Sequence, residues 1–286
     1  MQRSGTVALV SLGFAFLFCA SVARAEEKNW THLRIATEGA IPPWNYTKPD
    51  GTIDGYEIDL IKYLCTRMKV ECSMVVEPFS NMIPALNAGE FDVIMSGMSV
   101  TTKRQETIAF SDIYSQAGET FATLATSPLA DMPLKGHVLS IGTDQTDLQN
   151  TIKELTPLLK GKILGVQAAS TDANFAQTYL KDIVQIREYQ EPEQHDLDLV
   201  SGRIDLVLAS APLLTLDAAK ENHKNMVIVG PRFTGGLFGK GSGAGFRKED
   251  TKLKDMFNEA IEAAKKDGTM KTLSQKWFGF DVTPPE

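Results

Sequence analysis

Residues 89–112 read GEFDVIMSGMSVTTKRQETIAFSD, and this stretch predicts a buried strand, a ligand loop and a helix start, in that order. The short apolar run from Phe91 to Met95, introduced by Gly89, is typical of a buried strand. Ser96-Gly97-Met98-Ser99 follows it, small and polar, with a glycine that lets a ligand approach the backbone closely. Thr102 and Gln105 have the spacing of a capping box, so a helix is predicted to begin there.

Arg104 falls in the first turn of this predicted helix, where the helix dipole disfavours a cation. A bound anion would offset that cost. Free backbone N–H groups, hydroxyls and one guanidinium at a strand end therefore predict a carboxylate clamp. The alternative is a surface arginine on an ordinary helix, and this stretch alone does not decide between the two.

The composition is that of a globular protein, with 286 residues of which 43% are hydrophobic and 23% are charged. This length predicts one large domain or two ordinary ones. The formal net charge of −7, without a run rich in lysine and arginine, argues against nucleic acid as a partner. The 4 histidines lie far apart without ligand spacing, so we expect no metal, and no stretch predicts a cofactor site.

The first 25 residues have the pattern of a cleaved signal peptide. Arg3 provides a positive start, Val7 to Ala20 is apolar, and Ala23-Arg24-Ala25 is an A-x-A cleavage site. We therefore expect a periplasmic protein. After cleavage Cys65 and Cys72 remain, and an even pair in an oxidising compartment usually bonds, with two buried thiols as the alternative.

The rest of the chain alternates strands and helices. From Leu33 to Met95 the order is strand, helix, strand, helix, strand, which predicts a parallel sheet with helices on its faces. Ligands of such sheets bind beyond the carboxyl ends of the strands. Glu38 and the loop Ser96 to Ser99 both come directly after strands, so they should converge on one crevice.

An internal match joins the two halves of the chain. LNAGEFDVIM at 86–95 aligns with LVSGRIDLVL at 199–208, and both carry an aspartate three residues after a glycine. The loops that follow, Ser96-Gly97 and Ala209-Ser210, would face each other across a cleft between two lobes. Chance similarity of two common αβ units is the alternative.

The polar loops together contain one acid, one base and several hydroxyls, a set that suits a zwitterion. Glu38 would pair with an ammonium or guanidinium, and Arg104 with a carboxylate. Phe79 would cover an apolar or planar part of the ligand, unless it is a core aromatic. The glycine-rich stretch 235–243 lacks the P-loop pattern and is interpreted as a flexible connection back to the first lobe.

These stretches resemble the family 3 extracytoplasmic solute-binding proteins of polar amino-acid ABC importers. The resemblance lies in IATEG at 35–39, DGYEIDL at 54–60, LCTRMKVEC at 64–72, MIPAL at 82–86, FDVIMSGMSVTTKRQETIAFS at 91–111, GVQAAST at 165–171, SGRIDLVLAS at 201–210, AGFRKED at 244–250 and DGTMKTLSQKWFG at 267–279. It implies an α/β fold of the type II periplasmic binding protein class. Each lobe would be a mostly parallel sheet flanked by helices, with the ligand cleft between the lobes.

Within the family the chain looks closest to the binders of the opines octopine and nopaline. Glu38 replaces the aspartate usual in amino-acid binders, and Ile41 stands where relatives usually carry a stacking tyrosine. Ser210 stands where ordinary amino-acid binders have an aspartate that pairs with the α-ammonium. Opines carry a substituted, secondary amine, so that aspartate is dispensable.

The resemblance implies a monomeric binding protein, not an enzyme, that delivers an opine to a membrane permease. Lobe 1 would span 26–117 and 232–286, and lobe 2 would span 118–231. The expected ligand-binding residues are Glu38, Phe79, Ser96, Gly97, Met98, Ser99, Arg104, Gln167, Ala169, Ser170, Thr171 and Ser210. The alternatives are a basic amino acid as ligand, a sensing role, and an enzyme like cyclohexadienyl dehydratase with Glu38 or Glu119 as general acid.

Overall fold

The structure, a computed structural model, describes residues 28–142 and 145–285, so the predicted signal peptide lies outside the described residues. The strands are β1 (His32–Thr37), β2 (Ala40–Ile41), β3 (Asn45–Thr47), β4 (Ile53–Asp54), β5 (Glu71–Val76), β6 (Val93–Ile94), β7 (Ala109–Ser115), β8 (Glu119–Leu124), β9 (Val138–Ile141), β10 (Ile163–Gln167), β11 (Gln185–Tyr189), β12 (Leu206–Ser210), β13 (Met226–Gly235) and β14 (Ser242–Phe246). The α-helices are α1 (Tyr56–Met68), α2 (Met82–Ala88), α3 (Thr102–Gln105), α4 (Thr146–Leu159), α5 (Thr171–Phe175), α6 (Pro192–Val200), α7 (Ala211–Ala218), α8 (Thr251–Lys266) and α9 (Thr269–Phe278).

Two large sheets organise the chain, with strand orders β5-β1-β6-β14-β7 and β11-β10-β12-β8-β13-β9. The first three strands of each order are parallel, as the alternation of strands and helices predicts. The next strand in each order, β14 or β8, is antiparallel and follows the point where the chain arrives from the other sheet. The predicted α/β architecture with two lobes is confirmed, and its sheets are mixed.

The internal match found in the sequence is a structural repeat. Asp92 Oδ2 accepts a hydrogen bond from the Arg34 N–H at 3.0 Å, and Asp205 Oδ2 accepts one from the Ile163 N–H at 2.8 Å. Each aspartate therefore ties the strand that leads into a ligand loop, β6 or β12, to the neighbouring parallel strand, β1 or β10. The shared Gly-to-Asp spacing has this hydrogen bond as its physical basis.

The chain passes between the sheets twice, at residues 116–118 and 236–241. Strand β13 pairs with β9 of the second sheet as far as Gly235. The lobe boundaries expected at 117/118 and 231/232 stay a prediction.

The interior of the second sheet contains a cluster of aromatic rings. Phe175 of α5 lies 5.0 Å from the ring of Phe233 and 4.9 Å from that of Phe238, centroid to centroid. Phe121 of β8 meets Phe233 edge-on at 5.8 Å. Phe238 belongs to the glycine-rich stretch, so this packing anchors the second crossing to the core of the second sheet.

The predicted disulfide between Cys65 and Cys72 is present, with 6.3 Å between the two Cα atoms. It fastens α1 to β5, the outermost strand of the first sheet. Because the closed loop is short, the gain in stability from chain entropy is modest.

The start of α3 differs from the prediction by one residue. Thr101 is the N-cap, and its hydroxyl accepts a hydrogen bond from the Arg104 N–H at 3.2 Å. The capping box predicted from Thr102 and Gln105 is wrong, because the preceding threonine offers the same hydroxyl one position earlier. Among the described helices, none is both long enough and apolar enough to cross a membrane.

Candidate functional site

A cavity of about 100 Å³ lies between the two sheets. Ser96, Gly97 and Ser99, which follow β6, line it from one side, and Ala209 and Ser210, at the end of β12, line it from the other. These are the loops that follow the two repeated strands. The convergence expected from the internal match is therefore present, and both crossings between the sheets also contribute to the lining.

Arg104 lies in this cavity as a half-buried cation. Its Nη1 donates to the Ser99 carbonyl at 3.1 Å and its Nη2 to the Ala169 carbonyl at 3.2 Å, while its Cζ lies 5.4 Å from the centroid of the Phe79 ring. Burial lowers the pKa of Arg104 to about 10, and the negative charge of Asp172 partly opposes that decrease. A desolvated guanidinium with N–H groups to spare attracts an anion.

The loop after β6 is held in place by Glu57 of α1. This fully buried carboxylate accepts hydrogen bonds from the Gly97 N–H at 2.6 Å, from Asn45 Nδ2 at 2.6 Å and from the Tyr114 hydroxyl. Gly97 has a φ of +60°, a backbone conformation that favours glycine. Burial raises the pKa of Glu57, and its three hydrogen bonds oppose that rise. Glu57 thus aims the loop without lining the cavity itself.

Glu38 supplies a buried acid at the edge of the cavity. Its Oε1 accepts a hydrogen bond from Gln167 Nε2 at 2.5 Å, across the cleft, while its Oε2 is buried without a hydrogen-bond partner among the described residues. Burial raises the pKa of Glu38 to about 8, and the hydrogen bond from Gln167 opposes that rise. A cation would give the second oxygen its missing partner.

Further contacts bridge the cleft. Trp44 Nε1 donates to Ser210 Oγ at 3.3 Å, and Ser80 Oγ donates to Gln190 Oε1 at 3.2 Å. Together with the contact of Arg104 to the Ala169 carbonyl, they hold the two sides of the cavity against each other. The structure is therefore a closed form of the cleft.

The structure brings most of the predicted site residues to the cavity. The lining includes Phe79, Ser96, Gly97, Ser99, Arg104, Gln167, Ser170, Thr171 and Ser210. Three predicted residues are placed differently. Glu38 reaches the site through Gln167, Ala169 offers its carbonyl to Arg104, and the side chain of Met98 lies in the apolar core of the first sheet.

Other lining residues were not predicted from the sequence as ligand-binding. Glu119 and Asp172 place carboxyl groups at the cavity, and the buried His195 lines it too. The glycine-rich stretch also lines the cavity, through Gly239 and Lys240. The prediction that this stretch only connects the two lobes therefore missed its place in the site. Gly239 has a φ of +77°, and a Cβ there would come within 2.3 Å of the Val100 carbonyl oxygen.

The sequence did contain signals for two of these residues. Asp172 directly follows the predicted pair Ser170-Thr171, and Glu119 directly follows the crossing at Ala117-Gly118. As to metals, the described part of the chain contains no group of three or more histidine, cysteine, aspartate or glutamate side chains that could hold an ion.

Comparison with known proteins identifies the family. Residues 33–280 match the family described as bacterial extracellular solute-binding proteins, family 3. This chain belongs to that family. It is 43% identical to the octopine-binding periplasmic protein of Rhizobium meliloti over 295 residues, covering 96% of this chain and 99% of the relative.

Solved structures agree with this membership. An ancestral arginine-binding protein bound to arginine is 28% identical with a TM-score of 0.73, covering 87% of this chain and 99% of its own. An ancestral amino-acid-binding protein, described as a precursor of cyclohexadienyl dehydratase, is 27% identical with a TM-score of 0.69, covering 87% and 95%. The chain is accordingly a solute-binding protein, and the cavity between its two sheets is the candidate ligand site.

Proposed function

We propose that this protein is the periplasmic receptor of an ABC importer and binds an opine derived from arginine in the cleft between its lobes. It acts as a monomer, performs no chemistry on the ligand and passes it to a membrane permease. The observation that carries the proposal is a pair of incompletely partnered ionisable groups, the Arg104 guanidinium in the cavity and the buried Glu38 carboxyl, which reaches the cavity through Gln167. A ligand with a carboxylate and a guanidinium would satisfy both.

Ser210 favours an opine over a plain amino acid. Its oxygen accepts from Trp44 Nε1, which leaves its own hydroxyl hydrogen free to donate. An opine carries a second carboxylate on the arm attached to its nitrogen, and a serine donates to that group whereas an aspartate would repel it. The 43% identity to an octopine-binding protein supports the same choice.

The test compares melting temperatures with octopine, arginine, lysine and histidine at equal concentrations. Octopine should stabilise the wild type most, by about 2.7 kcal/mol at a hundred times its Kd. Ser210→Asp should reduce the shift with octopine, while Ser201→Asp, on an exposed helix end, serves as the matched control. Equal stabilisation of the wild type by octopine and by a basic amino acid would remove the opine assignment.

Binding of a basic amino acid is the second candidate, favoured by the likeness to an arginine-bound structure. It needs the same Arg104 and Glu38, so the two candidates differ only at the nitrogen substituent. The enzymatic alternative has a separate test. Incubation with prephenate or arogenate should give no aromatic product, and formation of one would overturn the binding-only proposal.

A further inference from the structure

Two buried carboxyl groups in the cavity have no role in the contacts described above. Asp172, in the first turn of α5, is 7% exposed, and its Oδ1 has no hydrogen-bond partner among the described residues. Glu119, the first residue of β8, likewise has a buried Oε2 without a partner. Both residues line the cavity. Leaving two acceptor oxygens buried and unsatisfied is costly unless a ligand uses them.

The two carboxyl groups come from separate elements and meet at one place. Glu119 stands opposite Ser210 in the ladder between β8 and β12, directly after the crossing at residues 116–118. Asp172 follows Ser170, the N-cap of α5, whose hydroxyl accepts from the Ala173 N–H at 3.0 Å. The charge on Asp172 raises the pKa of Glu119, so the two groups are close enough to interact electrostatically.

The positive charge of Arg104 acts on Asp172, one member of this pair. The guanidinium lowers the pKa of Asp172, and Asp172 in turn raises the pKa of Arg104. The acids that act on Glu38 are different ones, Glu191 and Glu57. Asp172 is therefore coupled to the clamp for the α-carboxylate, and Glu119 is coupled to Asp172.

We propose that Glu119 and Asp172 together bind the ammonium nitrogen of the ligand, next to the carboxylate held by Arg104. This rests on the proposed function, because an α-amino or opine nitrogen is one carbon away from the α-carboxylate. The pair lines the same cavity as Arg104, and its two unpartnered oxygens can accept the two N–H groups of a secondary ammonium.

The protonation of the empty pair agrees with this assignment. Burial raises the pKa of Asp172 to about 7 and that of Glu119 well above its ordinary value. Two adjacent carboxyl groups in a low dielectric avoid a double charge by retaining a proton. One negative charge over two groups matches one ammonium. With Arg104 and Ser210 for two carboxylates and Glu38 for the guanidinium, each polar group of an arginine-derived opine then has a partner.

The test measures affinity by calorimetry for Asp172→Asn and Glu119→Gln, with Asp182→Asn and Glu154→Gln on the exposed surface as matched controls. The probes are octopine, arginine and argininic acid, in which a hydroxyl replaces the amine. Each cavity variant should lose at least about tenfold in octopine affinity, as expected for a buried charged partner, while the controls stay within twofold of the wild type.

Argininic acid separates the ammonium contact from the effect on Arg104. Removing the charge of Asp172 also removes an anion beside Arg104, which by itself strengthens carboxylate binding. Arginine and argininic acid carry the same α-carboxylate, so the ratio of their affinities does not depend on that effect. This ratio, which measures the preference for the ammonium, should shrink at least about tenfold in Asp172→Asn. An unchanged preference in both cavity variants would overturn the inference and leave the proposed function standing.

A second measurement decides the question without any ligand. If the pair is kept for binding, Asp172→Asn and Glu119→Gln should raise the melting temperature of the empty protein at pH 8, because each removes a desolvated acid. Lower melting temperatures in both variants would assign the pair a structural role and overturn the inference. If no probe binds the wild type, the proposed function fails, and this comparison still tests the pair.

Discussion

At the scale of single residues, Arg104 has the largest expected effect on binding. Arg104→Ala should abolish measurable binding of octopine or arginine while the fold persists, because a buried carboxylate would lose its charged partner. The expected loss is at least about a hundredfold in Kd. Arg104→Lys should also bind poorly, since an ammonium cannot reproduce the two-pronged geometry of a guanidinium.

The control for Arg104→Ala is Arg67→Ala, on the exposed surface of α1. Circular dichroism of both variants checks the fold, and calorimetry measures the affinity. Binding by Arg104→Ala within a few-fold of the wild type would show that the carboxylate clamp is elsewhere.

Glu38 provides a pH prediction at the same scale. Its folded-state pKa is about 8 against an ordinary 4.5, so the folded chain holds a proton that the unfolded chain releases. Its contribution to stability is therefore full below pH 4.5 and is lost as the pH rises through 8. The melting-temperature difference between Glu38→Gln and the ligand-free wild type should accordingly grow from pH 5 to pH 8.

Titratable groups elsewhere contribute equally to the melting temperatures of both proteins, so their contributions cancel in that difference. Glu154→Gln, at an exposed glutamate of α4, is the matched control. A flat difference for Glu38→Gln would mean that its carboxyl group is ionised in the folded protein even without a ligand.

Single site residues could be predicted from the sequence where the position of a residue on a strand or helix determines where its side chain points. Glu38 was found because it lies just beyond the carboxyl end of β1, and Arg104 because it is a cation in the first turn of α3, where a bound anion offsets the helix dipole. Glu119 was considered from sequence only for the enzymatic alternative and Asp172 not at all, because their orientation depends on where the chain crosses between sheets and how α5 begins. Met98 was misplaced for a related reason, since alternate residues of an irregular loop face opposite sides.

At the scale of elements, the contact between α1 and the loop after β6 is the decisive one for the site. Glu57→Ala would leave the Gly97 N–H, the Asn45 amide and the Tyr114 hydroxyl without their shared acceptor. Each unsatisfied buried donor costs about 1–3 kcal/mol. We therefore expect a lower melting temperature and weaker binding together.

Glu57→Gln separates the two effects of that change. It keeps one oxygen acceptor and the side-chain volume, so it should recover part of the stability and part of the affinity. Calorimetry and thermal melting measure both quantities. A Glu57→Ala variant with unchanged affinity would show that Glu57 does not position the ligand loop.

The elements themselves were largely predictable. The main strands and helices from Leu33 to Met95, which are β1, α1, β5, α2 and β6, occur in the predicted order, because apolar periodicity and flanking turn residues define them. The N-cap of α3 was off by one because adjacent threonines compete for the same role. The antiparallel strands β14 and β8 could not be predicted, since their direction depends on which sheet the chain has just left.

At the scale of the whole molecule, two similar sheets enclose a cavity, and contacts from both sides close it. Closure by hinge motion at residues 116–118 and 236–241 would bury the ligand and bring Gln167 and Ser210 against Glu38 and Trp44. Under the proposed function, a permease would then recognise the closed form. Under the two proposals, the unpartnered oxygens of Glu38, Glu119 and Asp172 each receive a polar group of the ligand.

Competition measured by native mass spectrometry tests this account most directly. The protein, stripped of ligand by mild denaturation and refolded, is incubated with octopine, arginine, lysine and histidine in equal amounts. The account predicts one dominant species, the chain with a single octopine bound, and loss of that species in Arg104→Ala. A dominant complex with arginine, lysine or histidine, or no complex with any of the four, would contradict it.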